Sequence, residues 1–106
     1  MPKFMVKASY TTEGAKGLAK EGGSGRRKAV SKLVEGLGGK IESFYFAYGE
    51  DDVYVIVDLP DAAAGLALSL AVNSSGAVKL STTPLITPEE MDAACQKAVA
   101  YKAPGT

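Results

Sequence analysis

The chain has 106 residues, with 12 basic and 12 acidic side chains, no histidine, no tryptophan and one cysteine. This length and the 46% hydrophobic content predict one globular domain over residues 1–106, and they exclude a disordered chain and a membrane protein. Without histidine, and with Cys95 as the lone thiol, His-based triads, Cys-His dyads and His- or Cys-rich zinc sites are excluded, so any chemistry uses carboxylates, Tyr, Lys, Arg, Ser or Thr.

Compartment and partners follow from the cysteine count and the charge distribution. A single cysteine forms no internal disulfide, and residues 1–10 lack the long apolar run of a signal peptide or anchor, so we expect a cytoplasmic protein without a membrane partner. Residues 1–40 carry nine Lys or Arg against three Glu, whereas residues 41–106 carry three Lys against nine Asp or Glu. The sequence pI of about 6.2 argues against nucleic acid as a partner. The basic segment 16–32 contacts either an anion or a neighbouring subunit, and both remain open.

The first third of the chain predicts a strand followed by two helical segments. Residues 3–10 alternate, with one side formed by Phe4, Val6, Ala8 and Tyr10, which is the period of a half-buried strand. Thr11 or Thr12 caps a short helix that runs to Glu21, and the glycines of residues 22–25 interrupt it. The next helix has one apolar stripe, formed by Ala29, Val30, Leu33, Val34 and Leu37, and Gly38 or Gly39 provides its left-handed end.

The middle of the chain predicts a β-hairpin with a turn at residues 49–52. Its strands, residues 40–49 and 53–60, are apolar on both faces. In the first, Phe44, Phe46 and Tyr48 alternate with Ile41, Tyr45 and Ala47; in the second, Val53, Val55 and Val57 alternate with Tyr54 and Ile56. Because a sheet with one wet face normally alternates apolar and polar residues, we expect the face away from the helices to be buried by another subunit.

The last part predicts a helix, a strand and a second helix. Asp61 caps an Ala-rich helix that ends at residues 73–76, and residues 77–86 form an edge strand with Pro84 near its end. Thr87, Pro88 and Glu90 form a capping box that starts a helix running to about Tyr101, on which Cys95 is a small core residue. The whole order predicts an α+β, ferredoxin-like βαββαβ fold with a C-terminal helix and a four-stranded antiparallel sheet.

Tyrosines, carboxylates and arginines are the candidate functional residues. A tyrosine within a sheet either donates a hydrogen bond to a bound carbonyl or anion, or simply packs in a core or interface. The candidate acids are Tyr10 and Tyr48, the candidate bases are Asp52 and Glu42, and the candidate ligand contacts are Arg26, Arg27, Tyr45 and Tyr54.

Two further motifs predict no site. The glycine-rich and basic residues 22–28 match neither the P-loop nor a dinucleotide-binding pattern. The acids at residues 50–52 lack the regularly spaced oxygen ligands of a calcium loop. We therefore expect no metal and no cofactor.

Residues 38–53, GGKIESFYFAYGEDDV, resemble the GYD-domain family, whose members are small bacterial proteins without an assigned activity. The likeness extends to Arg26 and Arg27, to residues 59–61, and to a set near the end of the chain: Leu85, Thr87, Glu89, Glu90 and Met91. In the family's Gly-x-Tyr-Asp turn, Gly49 and Asp52 match and Asp51 replaces the tyrosine.

The resemblance implies a ferredoxin-like subunit of the kind found in dimeric α/β barrels, and it implies no established activity. In the turn motif, we expect a positive φ at Gly49 and a carboxylate at Asp52 that accepts hydrogen bonds from backbone N–H groups of the same turn.

We expect a non-catalytic, oligomeric binding or interaction protein. It would associate with itself through the open sheet face and hold a small molecule between sheet and helices or between subunits. The alternative is a cofactor-independent isomerase or oxygenase-like enzyme acting on a small aromatic or carbonyl compound. A third hypothesis is that the segment 16–32 binds anionic polymers.

Overall fold

A computed structural model of the chain describes residues 1–106. Its elements in chain order are β1 (Lys3–Tyr10), α1 (Thr12–Glu21), α2 (Gly23–Gly36), β2 (Lys40–Phe46), β3 (Val53–Asp58), α3 (Ala62–Ser74), β4 (Val78–Leu85) and α4 (Pro88–Cys95). The four strands form one open antiparallel sheet in the order β2-β3-β1-β4. The chain therefore has a mixed α+β fold, and β4, which contains Pro84, is an edge strand as predicted.

The core lies between one face of the sheet and helices α2 and α3. Alternate residues of β1 and β3 point into it and pair across the two strands, so that Val6 lies opposite Val55. The buried hydrophobic residues are Phe4, Val6, Ala8, Val34, Val53, Val55, Val57, Leu59 and Leu68. The period-two pattern predicted for the first strand is confirmed.

Side-chain caps start three of the helices at the predicted positions. Thr11 accepts a hydrogen bond from the Gly14 N–H at 3.2 Å, and Asp61 accepts one from the Ala64 N–H at 2.9 Å. Thr87 and Glu90 form the complete capping box, with both hydrogen bonds at 3.0 Å. Such caps satisfy N–H groups that have no partner within the helix, which fixes where the helix begins.

The start of α2 and the end of α3 differ from the prediction. The break between α1 and α2 is Gly22 alone, at φ +80°, because α2 already begins at Gly23. Helix α3 continues through Asn73. The Asn73 Oδ1 accepts a hydrogen bond from the Leu80 N–H at 2.7 Å, and the Asn73 Nδ2 donates one to the Leu80 carbonyl at 3.0 Å. This pairing with the neighbouring strand gives the asparagine a role other than ending the helix.

A β-bulge changes the predicted faces of the first hairpin strand. Ile41 pairs with Val57 and Ser43 pairs with Ile56, so Glu42 is the extra residue. The bulge turns Ile41 toward the helices, where it packs against the core instead of sharing a face with Tyr45. Strand β2 ends at Phe46, and Tyr48 lies beyond it with a fully exposed side chain.

The C-terminal segment, residues 86–106, projects from the rest of the molecule. Every residue in it is exposed, and α4 ends at Cys95 rather than near Tyr101. Cys95 is an exposed free thiol, so its predicted core position is wrong: α4 buries no residue. The radius of gyration is 16.9 Å, whereas a compact chain of this length has about 13 Å. None of the helices combines the length and apolar character needed to cross a membrane.

Candidate functional site

A cavity of about 410 Å³ lies between the sheet and helices α2 and α3. Of the 18 residues that line it, 16 are hydrophobic. Protein interiors rarely contain voids much larger than a water molecule, and this volume falls in the range of small-molecule pockets. The sheet contributes short side chains such as Ala8, Val53 and Val55, which leave the space unfilled.

The packing of α3 explains why the space is open near the end of β1. At the start of α3 the helix lies close to the sheet, since a methyl group added at Gly65 would be 3.3 Å from the Phe4 ring. Further along, the hydroxyl oxygens of Ser69 and Thr82 are 2.7 Å apart and tie the helix to β4. The second half of α3, the turn after it and the start of β4 line the cavity: Leu68, Ala71, Val72, Ser75, Ala77, Val78 and Leu80.

Tyr10 ends β1 and is one of the residues that line this cavity. Burial raises the pKa of Tyr10, the nearby Arg26 charge opposes that rise, and Glu21 and Asp52 add to it. The phenol therefore stays protonated at neutral pH and acts as a hydrogen-bond donor.

Arg26 is the only charged residue that lines the cavity. Its Nε atom is buried and has no hydrogen-bond partner. Glu21 Oε1 is 3.4 Å from Nε, which is close enough for charge attraction but lacks the alignment of a hydrogen bond. The other polar lining residue, Ser75, already donates to the Val72 carbonyl at 2.7 Å. Arg26 Nε is thus a polar atom of the lining residues with bonding capacity left for a ligand.

Asp52 holds the hairpin turn against the end of β1. Its Oδ2 accepts from the Tyr10 N–H at 2.8 Å, and its own N–H donates to the Ala8 carbonyl at 2.9 Å. The predicted backbone contact is therefore present, but the donor lies on β1 rather than in the turn. Gly49 does not have the predicted positive φ, so the turn does not require glycine for that reason.

Glu42 lies far along the sheet from Tyr10. Lys3 Nζ contacts Asp58 Oδ1 at 2.9 Å and Glu42 Oε1 at 3.0 Å. Hydrogen bonds to Asp58 and then to Glu42 raise the pKa of Lys3, with burial opposing them. Lys3 and Tyr10 are at opposite ends of β1, so the structure does not bring Glu42 to the cavity.

The structure brings three of the candidate residues together and separates the others. Tyr10 and Arg26 line the cavity, and Asp52 joins Tyr10 in a second, more open pocket. The remaining candidates lie elsewhere: Arg27 is exposed on α2, Tyr48 is fully exposed beyond β2, and Tyr45 pairs with Tyr54 on the opposite face of the sheet. No group of three or more acidic or cysteine side chains is placed to hold a metal ion.

The cavity-lining residues of α3 were missed by sequence reasoning. The signal that points to them is the Ala-rich composition of residues 62–71, from which the sequence analysis predicts only a helix. Small side chains permit close approach and also leave volume unfilled, and the sequence does not distinguish the two outcomes.

The open face of the sheet is mixed rather than uniformly apolar. Met5, Tyr54 and Ile56 are half-buried and Tyr45 is 71% exposed. Charged and polar residues surround them at alternate strand positions: Lys3, Lys7, Ser9, Ser43, Asp58, Lys79, Ser81 and Thr83. The apolar patch is therefore confined to the β1–β3–β2 half of the sheet.

A family model described as the GYD domain matches residues 4–95. The match covers the sheet except for Lys3, and it covers both helices that line the cavity. The comparisons with curated proteins and with solved structures gave no match.

Proposed function

The chain belongs to the GYD domain family, and we propose that it is a non-catalytic, self-associating protein that binds a small molecule between its sheet and its helices. The observation that carries this proposal is the cavity of about 410 Å³ with 16 hydrophobic residues among its 18 lining residues. Small-molecule sites combine such an apolar lining with a few polar groups that set the ligand's orientation. Tyr10 and Arg26 supply those groups here.

Binding of a neutral aromatic probe tests the proposal. We expect naphthamide to bind the untagged protein saturably in isothermal titration calorimetry. Val72→Trp places an indole in the cavity and abolishes this binding, whereas Leu66→Trp, at a 65% exposed position of the same helix, leaves it intact. Equal loss of binding in both variants, or no binding by the unaltered chain, counts against a ligand in this cavity.

We also propose that two chains associate through their open sheet faces. The strand order β2-β3-β1-β4, with helices connecting β1 to β2 and β3 to β4, supports a ferredoxin-like assignment, and face-to-face pairing would give a dimeric α/β barrel. Support comes from the patch of Met5, Tyr45, Tyr54 and Ile56, because apolar surface of this kind gains free energy when another surface removes it from water.

Sedimentation velocity at micromolar concentration tests the association. We expect a dimer, and we expect Ile56→Asp to shift the protein to a monomer because it places a charge in the patch. The matched control is Leu66→Asp, which makes the same chemical change on the outer surface of α3. A monomeric unaltered chain would overturn the proposal.

A second candidate function is favoured by the position of Tyr10. A protonated phenol beside Arg26 in an apolar cavity provides an acid for a cofactor-independent isomerase or oxygenase-like enzyme acting on a small aromatic or carbonyl compound. The two functions differ in what happens to the ligand. A binding protein returns it unchanged, whereas an enzyme yields a product whose formation is lost in Tyr10→Phe.

We place this protein in the cytoplasm because its one cysteine is exposed and free. A reducing compartment keeps such a thiol from forming disulfides between chains. Alkylation of Cys95 by a membrane-permeant thiol reagent, and not by an impermeant one, in intact cells tests this assignment.

A further inference from the structure

We propose that the ligand of the cavity is an apolar acid, whose hydrocarbon body fills the space and whose carboxylate pairs with Arg26. The inference rests on the proposed binding function and adds the chemical class of the ligand. It would be overturned on its own if the cavity bound neutral and acidic molecules equally well.

The Arg26 Nε atom, which has no hydrogen-bond acceptor, is the first argument. Leaving a buried donor without an acceptor is unfavourable, and more so when the group is charged. Arg26 Nε is in that state, in a side chain that is 34% exposed as a whole. A carboxylate in the cavity would give Nε the acceptor that the protein does not supply, through a short charge-assisted hydrogen bond.

The sign of the charges is the second argument. No acidic side chain lines the cavity, so Arg26 is the only charge on its wall. The Glu21 carboxylate pairs with Arg26 but is not part of this lining. Tyr10 also lines the cavity, and its protonated phenol is a hydrogen-bond donor. A positive charge and a donor on the wall favour an anion over a neutral or cationic head.

Glu21 is the group that a ligand must displace. Its carboxylate lies 3.4 Å from Arg26 Nε without hydrogen-bond alignment, and its side chain is 35% exposed. A partly exposed carboxylate loses little on moving into water, since exposed ion pairs contribute little. Glu21 therefore pairs with Arg26 when no ligand is bound, and a ligand carboxylate can displace it.

The volume sets the size of the hydrocarbon body. An apolar cavity of about 150 Å³ holds one benzene molecule. The present cavity of about 410 Å³ has room for a body of two fused rings or an aliphatic chain of similar volume. Naphthoate fits these requirements, and naphthamide is its uncharged equivalent of nearly the same shape.

Calorimetric titration of naphthoate and naphthamide at neutral pH tests the inference. We expect the unaltered chain to bind naphthoate roughly ten to a hundred times more tightly, as charged hydrogen bonds are strong. Arg26→Gln should bring the affinities for naphthoate and naphthamide together, and an unchanged far-ultraviolet circular dichroism spectrum shows that the variant is folded. Arg27→Gln makes the same change on the exposed neighbour and should keep the preference.

The outcomes separate the two proposals. Equal affinity for both probes in the unaltered chain overturns the acid class and leaves the binding function standing. A preference that survives Arg26→Gln, or that Arg27→Gln abolishes, also overturns it. Failure of both probes to bind overturns the binding function itself.

Discussion

At the scale of single residues, Asp52 shows how a residue of the family turn serves the fold. Its side chain and backbone make hydrogen bonds to Tyr10, Ala8 and Ala47, so the turn, the end of β1 and the end of β2 are joined at one point. Since Tyr10 lines the cavity, Asp52 positions a site residue through the backbone. This contact gives Asp52 a structural role in the turn.

Replacing Asp52 tests this structural role. Asp52→Ala leaves the part-buried Tyr10 N–H without an acceptor, which should lower the free energy of unfolding by about 1–3 kcal/mol. Asp52→Asn keeps an acceptor oxygen and should cost less. Asp51→Ala is the control, because Asp51 makes only a 3.3 Å contact with the Ser9 hydroxyl. Urea unfolding measures all three, and equal costs for Asp51→Ala and Asp52→Ala would contradict the assignment.

Tyr10 gives a pH prediction at the same scale. Burial raises the pKa of Tyr10 above its ordinary 10.0, so on raising the pH the unfolded chain loses this proton before the folded chain does. The contribution of Tyr10 to stability is then fully present below pH 10.0 and is lost as the pH rises through the folded-state pKa. The variant Tyr10→Phe has no phenol to titrate, so it should not lose stability in this way.

Urea unfolding of both proteins at pH values on either side of 10.0 measures the effect. The stability difference between the unaltered chain and Tyr10→Phe should be constant below that pH. Above it, the unaltered chain should lose stability faster than the variant. Parallel curves over the whole range would show that the phenol is not buried as described.

At the scale of elements, the link between α2 and β2 depends on glycine for two different reasons. Gly38 has φ +83°, a backbone conformation that side chains disfavour. Gly39 has no room for a side chain, because a methyl group there would overlap the Asp58 carbonyl oxygen and lie 2.8 Å from Leu59 Cδ2. Leu59 and Val34 beside it are fully buried.

Substitutions at two glycines distinguish steric crowding in the core from the conformational freedom of the backbone. Gly39→Ala should lower the free energy of unfolding by about 1–3 kcal/mol or more, because it overpacks the core. Gly36→Ala, at the end of α2 with open space around it, should raise it by up to about 1 kcal/mol, since alanine favours the helix. Thermal unfolding of both variants measures the contrast, and a tolerated Gly39→Ala would refute the close approach.

The sequence predicts elements well where a local interaction determines them. Thr11, Asp61 and the Thr87–Glu90 box start their helices as predicted, because each cap acts within a few residues of its own helix. Ile41 and Cys95 were placed wrongly. The sheet face on which Ile41 lies depends on the β-bulge of β2 opposite β3. The exposure of Cys95 depends on the failure of α4 to pack. Neither feature is determined by the residues nearby in the sequence.

The candidate site is predictable only in part for the same reason. Arg26, Tyr10 and Asp52 are predicted as candidates from their chemistry, but nothing in the sequence separates them from Tyr48 or Glu42. Their grouping follows from the tertiary position of the end of β1 beside α2 and the hairpin turn. The cavity itself is a volume left between elements, which no residue pattern reports.

At the scale of the whole molecule, the long shape follows from the C-terminal segment. The extents of 56 × 33 × 23 Å combine a sheet-and-helix body with a segment whose residues are all exposed. The capping box stabilises α4 as a helix although α4 buries no residue. The helix can therefore form without packing against the sheet and the other helices. Segments with few buried contacts open at almost no cost in free energy.

Limited proteolysis tests whether the C-terminal segment is also free in solution. Trypsin should cleave after Lys97 and Lys102 before it cleaves elsewhere, because both residues lie in the exposed segment, and mass spectrometry identifies the products. The remaining body should keep its free energy of unfolding, since the lost residues bury nothing. The cleavage rate per molecule should not depend on protein concentration. Protection that rises with concentration would contradict this expectation, because it would mean that a second copy of the chain covers the segment.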